Sequence, residues 1–155
     1  MTLKFTAAMS AMVLITLVDV HAQTELGQME TAAILSTIET MTDAFAAGDV
    51  GGVMSAYEAG ATVVAEPGMP VTGEGALREM FAEFIAQGVA FTYGAHDVVT
   101  SGDVALHLMK WTAPGPEGDM VALSVAVLRK QPDSSWKMVI DHPFGDAVMH
   151  ADAVR

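Results

Sequence analysis

Apolar positions recur at helical spacing through the first half of the chain and at alternate positions through the second. Ile34, Ile38, Met41 and Phe45 fall on one helical face, with Glu39 and Asp43 opposite. Gly48 closes that predicted helix, since a glycine just past a helix end takes the left-handed conformation at little cost. Asp49 is placed to cap a short second helix running to Tyr57, with Val50, Val53, Met54 and Tyr57 as its apolar positions. Thr62–Ala65 reads as a brief strand. Glu66-Pro67-Gly68-Met69-Pro70 reads as a loop, because two prolines and a glycine oppose regular structure. A third helix is the clearest signal: Leu77, Met80, Phe81, Phe84 and Ile85 share a face, and Gly88 stops it. Residues 23–29 read as a solvated lead-in.

Beyond Gly88 the period changes to two. Strands are predicted at 89–100, 103–112, 120–130 and 135–142, separated by Ser101-Gly102-Asp103, Pro114–Gly118 and Pro132-Asp133-Ser134. Helices first and an antiparallel meander last predict an α+β domain. The strand at 120–130 is apolar on both faces, with Val121, Leu123, Val125 and Val127 on one and Met120, Ala122, Ala126 and Leu128 on the other. A sheet of that kind needs cover on both sides. Three helices cover one, and a second subunit is the simplest cover for the other, so a homodimer through the sheet is expected.

The N-terminus changes the picture of localisation. Lys4, the apolar run Phe5–Val18 and Val20-His21-Ala22 follow the three-part pattern of a secretory leader cleaved after Ala22. The run is shorter than the roughly 20 residues a membrane-spanning helix needs. Residues 23–155 then form a single exported domain, periplasmic or secreted, with no membrane association once residues 1–22 are removed. Lys4 and Asp19 leave together, so the formal charge of −12 stays with the mature chain. Such a surface repels nucleic acid and anionic membranes. With no cysteine, neither disulfides nor thiol chemistry is available, and the apolar core alone must hold the fold.

Several local features, in this order and spacing, resemble one superfamily. They are Ala46-Ala47-Gly48-Asp49, Tyr57 with the strand Ala61-Thr62-Val63, Val71-Thr72-Gly73 before the third helix, Gly102-Asp103-Val104-Ala105, and Trp136-Lys137 through Asp141-His142. Residues 29–145 resemble the nuclear transport factor 2-like superfamily, close to its SnoaL-like and ketosteroid-isomerase-like members. The resemblance implies three N-terminal helices packed on a strongly curved antiparallel sheet, forming a cone with one cavity, and dimerisation through the sheet's outer face. The superfamily holds isomerases, dehydratases and non-catalytic binding domains, so fold leaves function open.

Glu66 follows the first strand at a position similar to that of the ketosteroid isomerases' catalytic aspartate, which makes it the candidate general base. The family's tyrosine on the first helix falls at about Met41, however, and its protonated acid at about Ala126. Without that pair a dienolate has no stabiliser, which argues against steroid isomerisation. His142 has the strand parity of Trp136, Met138 and Ile140 and is expected to face the cavity as they do; Asp141, of opposite parity, is expected to point outward. His107 sits mid-strand on an apolar face, as a third catalytic candidate or a structural histidine. Tyr57, Met69, Phe81, Trp111 and Met41 are candidate ligand-lining residues, with Phe91 and Tyr93 as further aromatics of the same kind. The His96-Asp97, Asp141-His142 and Asp146/His150 pairs lack zinc spacing, and neither a metal nor a cofactor is predicted.

Three functions fit these residues. The first is an exported domain binding a small apolar or aromatic molecule in its cavity. The second is a cofactor-free isomerase or dehydratase using Glu66 as base, with His142 or His107 as acid. The third is a homodimeric interaction module with a filled cavity. Convergence of polar groups on one point separates the second from the first.

Overall fold

A computed structural model describes residues 7–116 and 118–150, with side chains from residue 24 onward. The elements are α1 (Ala7–Ala47), α2 (Val50–Ser55), β1 (Tyr57–Glu66), β2 (Met69–Thr72), α3 (Glu74–Ala86), β3 (Thr92–Ser101), β4 (Val104–Gly115), β5 (Gly118–Lys130), β6 (Trp136–His142) and a 3-10 turn at Gly145–Met149. The fold is α+β, as the switch in period predicts.

Helix α1 runs straight through the expected lead-in at 23–29. That stretch has no proline and is rich in helix formers, so nothing stops the helix there. Leu26 and Met29 nonetheless stay exposed. Glu30 pairs with Lys130 at 2.6 Å. Ile34 and Ile38 are then buried in the core, and Thr37 donates its hydroxyl to the Trp136 carbonyl at 3.1 Å. The helix ends as predicted: Gly48 has φ +76°, and Gly48 and Asp49 return their N–H groups to the Phe45 and Ala44 carbonyls. Asp49 occupies the N-cap position of α2 but makes no side-chain cap. The predicted leader begins at residues outside the description, and the rest of it is described in backbone alone. Among the described residues no helix is long and apolar enough to cross a membrane.

The six strands form one sheet in the order β2-β1-β6-β5-β4-β3. It is mixed, and not purely antiparallel as expected, because β1 returns beside β6 in parallel. The expected loop at 66–70 shrinks to a turn at Pro67-Gly68, after which Met69–Thr72 pairs with β1 as β2. Pro70 is tolerated there because β2 is an edge strand with a single neighbour.

The helices cover one face of the sheet. There Leu77, Met80 and Phe81 of α3 join Ile34, Ile38, Val63, Leu128 and Met138 in the main core. On β5 the two-faced reading holds: Ala122, Ser124, Ala126 and Leu128 are buried, while Val121 and Leu123 are exposed on the other side.

Candidate functional site

A cavity of about 210 Å³ lies between the helices and the covered face of the sheet. Met41 and Phe45 of α1, Phe81 and Phe84 of α3, and Met109 and Trp111 of β4 form much of its wall. Five of the six phenylalanines, both tyrosines and one of the two tryptophans of the chain line it. Gln87, Tyr93 and Met120 are the exposed lining residues and mark its mouth. The aromatic rings brace one another: Phe91 meets Trp111 edge-on at 5.2 Å, and Trp111 meets Phe144 edge-on at 5.5 Å. Trp111 donates its indole N–H to the Pro143 carbonyl at 2.6 Å, so the ring is fixed and its polar atom satisfied. After β6 the chain folds tightly back onto β5, where a side chain at Gly145 would collide with Val125, and this places Phe144 in the wall.

The polar centre of the cavity is Asp141. The alternation of β6 starts as predicted, with Trp136 and Met138 buried, and then breaks. Met138 faces Leu128 on β5 but Ile140 faces Val127, so Val139 is one residue extra on β6. This bulge reverses the parity of everything after it. Ile140 turns out to solvent, Asp141 turns in, and His142 moves off the cavity face. The expected orientations of Asp141 and His142 are therefore exchanged.

Tyr57 donates its hydroxyl to Asp141 Oδ2 at 2.7 Å, and Ser124 Oγ lies 3.5 Å from Oδ1. Burial raises the Asp141 carboxyl above the usual carboxylate range; the hydrogen bonds from Tyr57 and Ser124 and the nearby His142 partly offset this. Burial and the Asp141 charge push Tyr57 well above the ordinary phenol value, and push Tyr93 up to about 12. Asp141, Tyr57 and Ser124 thus form one polar cluster in a mostly apolar wall, with Tyr93 and Gln87 the polar groups at the mouth.

The other candidates are placed as follows. Tyr57, Phe81, Trp111 and Met41 line the cavity as expected. Met69 does not; it is exposed on edge strand β2. Glu66 is also exposed, at the β1–β2 turn outside the cavity wall. His142 is half-buried and accepts the Phe144 N–H on Nδ1 at 3.3 Å. His107 is buried but outside the cavity lining, with Nε2 unpartnered among the described residues. Burial and the His96 ring, 5.8 Å away between centroids, push its imidazole down to about 4, so it stands neutral at pH 7. Asp146, weighed as a metal ligand, instead accepts the Leu123 backbone N–H at 3.1 Å.

Comparison with known proteins agrees with this architecture. A candidate ketosteroid isomerase from Shewanella frigidimarina has a similar structure, at 22% identity and TM-score 0.64, covering 71% of this chain and 93% of that one. A candidate dehydratase of the nuclear transport factor 2-like family from Streptomyces avermitilis is similar at 20% identity and TM-score 0.60, over 74% of this chain and 95% of that one. A nuclear transport factor 2-like protein with a cystatin-like fold from Novosphingobium aromaticivorans is similar at 16% identity and TM-score 0.63, over 81% and 87%. At these identities the likeness concerns the fold alone. A search of the curated proteins gave no match. The model of the SnoaL-like domain matches residues 38–134, from the C-terminal part of α1 to the turn before β6. The chain belongs to the SnoaL-like domain family.

Proposed function

We propose that this protein is an exported small-molecule-binding domain whose aromatic cavity takes one apolar or aromatic ligand and orients it on Asp141. The observation that carries the reading is a buried carboxylate, held by Tyr57, in the wall of a mostly apolar chamber. Few, well-placed polar groups in an apolar pocket are the general anatomy of ligand sites. An engineered cavity of about 150 Å³ accommodates benzene, so one of about 210 Å³ suits a ring with a short substituent. The cone implied by the family resemblance would wrap the sheet around such a ligand.

Export rests on the leader pattern of residues 1–22. It is supported by the packing of α1, whose tie to Lys130 at Glu30 and core contacts from Ile34 onward all lie beyond Ala22. Homodimerisation rests on the uncovered outer face, where Val121, Leu123 and Ile140 are exposed together with half-buried Val125 and Val127.

A second reading is favoured by the raised carboxyl of Asp141 beside Tyr57. It is proton transfer of the isomerase or dehydratase kind, with Asp141 and not Glu66 as the base. The candidate isomerase and dehydratase among the structural relatives point the same way.

Calorimetric titration with benzyl alcohol and toluene tests the binding reading. Saturable binding that is weakened by Asp141→Asn for the alcohol, and left unchanged by Glu66→Gln, is expected. No binding of either compound, nor of an aromatic amine of the same size, to the wild-type protein would contradict it. Asp141-dependent exchange of an α-proton of a cavity-sized ketone for deuterium would promote the catalytic reading.

A further inference from the structure

Asp141 is a buried carboxylate with no basic side chain facing it inside the chamber; the adjacent His142 lies off the cavity face and only partly offsets its burial. Among the described residues that line the cavity there is no lysine, arginine or histidine. Tyr57 occupies one site on Oδ2, and Ser124 stands at the outer limit of hydrogen-bond distance from Oδ1, so the carboxylate keeps unused acceptor capacity. Removing a charge from water without pairing it is costly, and a bound cation would relieve that cost.

The remaining walls suit a cation as well. The chamber is built of ring faces and edges, with Phe91 and Trp111 at right angles and Phe91 stacked on Tyr93 at the mouth. Aromatic walls around a single anionic group are the arrangement that recognises ammonium ions, through the negative faces of the rings. The excess of nineteen acidic over seven basic residues favours the approach of a cation from solution.

We propose that the ligand is a small aralkyl amine bound as its ammonium ion, with the nitrogen on Asp141 and the ring among Trp111, Phe91 and Phe144. The proposal rests on the small-molecule reading above and adds the charge of the ligand to it. A benzylammonium-sized molecule places one ring in the aromatic chamber and one nitrogen within reach of the carboxylate, in keeping with a volume of about 210 Å³.

The test compares benzylamine, benzyl alcohol and toluene, nearly equal in size, against the full-length mature protein at pH 7. Binding is followed by calorimetry and by the fluorescence of Trp111, read against a Trp111→Phe variant because Trp136 also emits. Benzylamine is expected to bind at least 10-fold more tightly than benzyl alcohol. Asp141→Asn should remove that preference while still binding the alcohol. Equal or tighter binding of the alcohol or toluene to the wild-type protein overturns the amine assignment and leaves the cavity reading standing. Failure of all three to bind overturns both. The wild-type comparison needs no variant, so it remains decisive even where Asp141→Asn folds poorly.

Discussion

The two faces of strands β4 and β5 are made from the same few residues of backbone and have opposite characters. The covered face alternates bulky Trp111 and Met109 with Ala113, Ala122 and Ala126, leaving room beneath the helices for a chamber. The uncovered face is paved with Val121, Leu123, Val125 and Val127, branched side chains of similar height that leave an apolar surface exposed. Mixed sizes beside a buried carboxylate suit the small-molecule site proposed above. The exposed aliphatic row of β5, bordered by Lys110 and Thr112 of β4, is the part of the outer face suited to the second subunit proposed above. The alternation of a strand lets one sheet carry both.

The sharpest way to break this comparison is to charge the outer face. Leu123→Asp combined with Ile140→Asp should convert a dimer into a folded monomer, as read by sedimentation velocity, while leaving ligand binding in place. A wild-type protein that sediments as a monomer at all concentrations would remove the second-subunit assignment.

Truncation weighs the faces against each other. Leu128→Ala, in the closed core, should cost about 2–5 kcal/mol in chemical denaturation. Leu123→Ala should cost less than about 0.5 kcal/mol when the chain is dilute enough to be monomeric, and more as concentration rises. Equal losses at both positions would mean that the outer face is not distinct.

His107 gives the covered face a pH signature. Its imidazole is lowered from 6.5 to about 4, so the unfolded chain takes up a proton over that window while the folded chain resists it. Stability from this group is complete above pH 6.5 and falls as pH drops toward 4, by about 3 kcal/mol at most. Denaturation of His107→Leu at pH 7 and pH 4.5 should show a smaller loss than wild type. An identical loss would mean that His107 protonates freely in the fold. Tyr57→Phe removes one hydrogen bond to Asp141. It should cost about 1.5–3 kcal/mol and push the carboxyl higher still, measurable by carboxyl NMR titration.

Much of this fold is legible in the chain because its main elements agree with their local patterns. The apolar face Leu77–Ile85 gave α3, the positive-φ glycine gave the end of α1, and the double-sided β5 gave both faces of the sheet. Two features resist such reading. Pro70 in a strand depends on β2 lying at the edge, which is a fact about neighbours rather than about residues 66–70. The bulge at Val139 depends on the register of β5 against β6, and nothing in Trp136–His142 marks it. That single extra residue separates the expected inward His142 from the observed inward Asp141. The cavity wall was partly readable: Met41 and Phe81 lie on the apolar faces of their helices and Trp111 on the inward parity of β4, whereas Tyr57 was read as the end of the second helix and instead opens β1. Phe144 was not, since it reaches the cavity from beyond the last strand.

The central claim is that the covered face holds a small-molecule site, and the methionines report on it directly. Met41, Met109 and Met120 line the cavity, whereas Met29, Met69 and Met149 are exposed outside it. With methyl-labelled methionine, titration of benzyl alcohol should shift the NMR signals of the first three in parallel and saturably, and leave the last three in place. Shifts confined to the exposed methionines, or no saturable shift at all, would contradict a ligand site in this cavity.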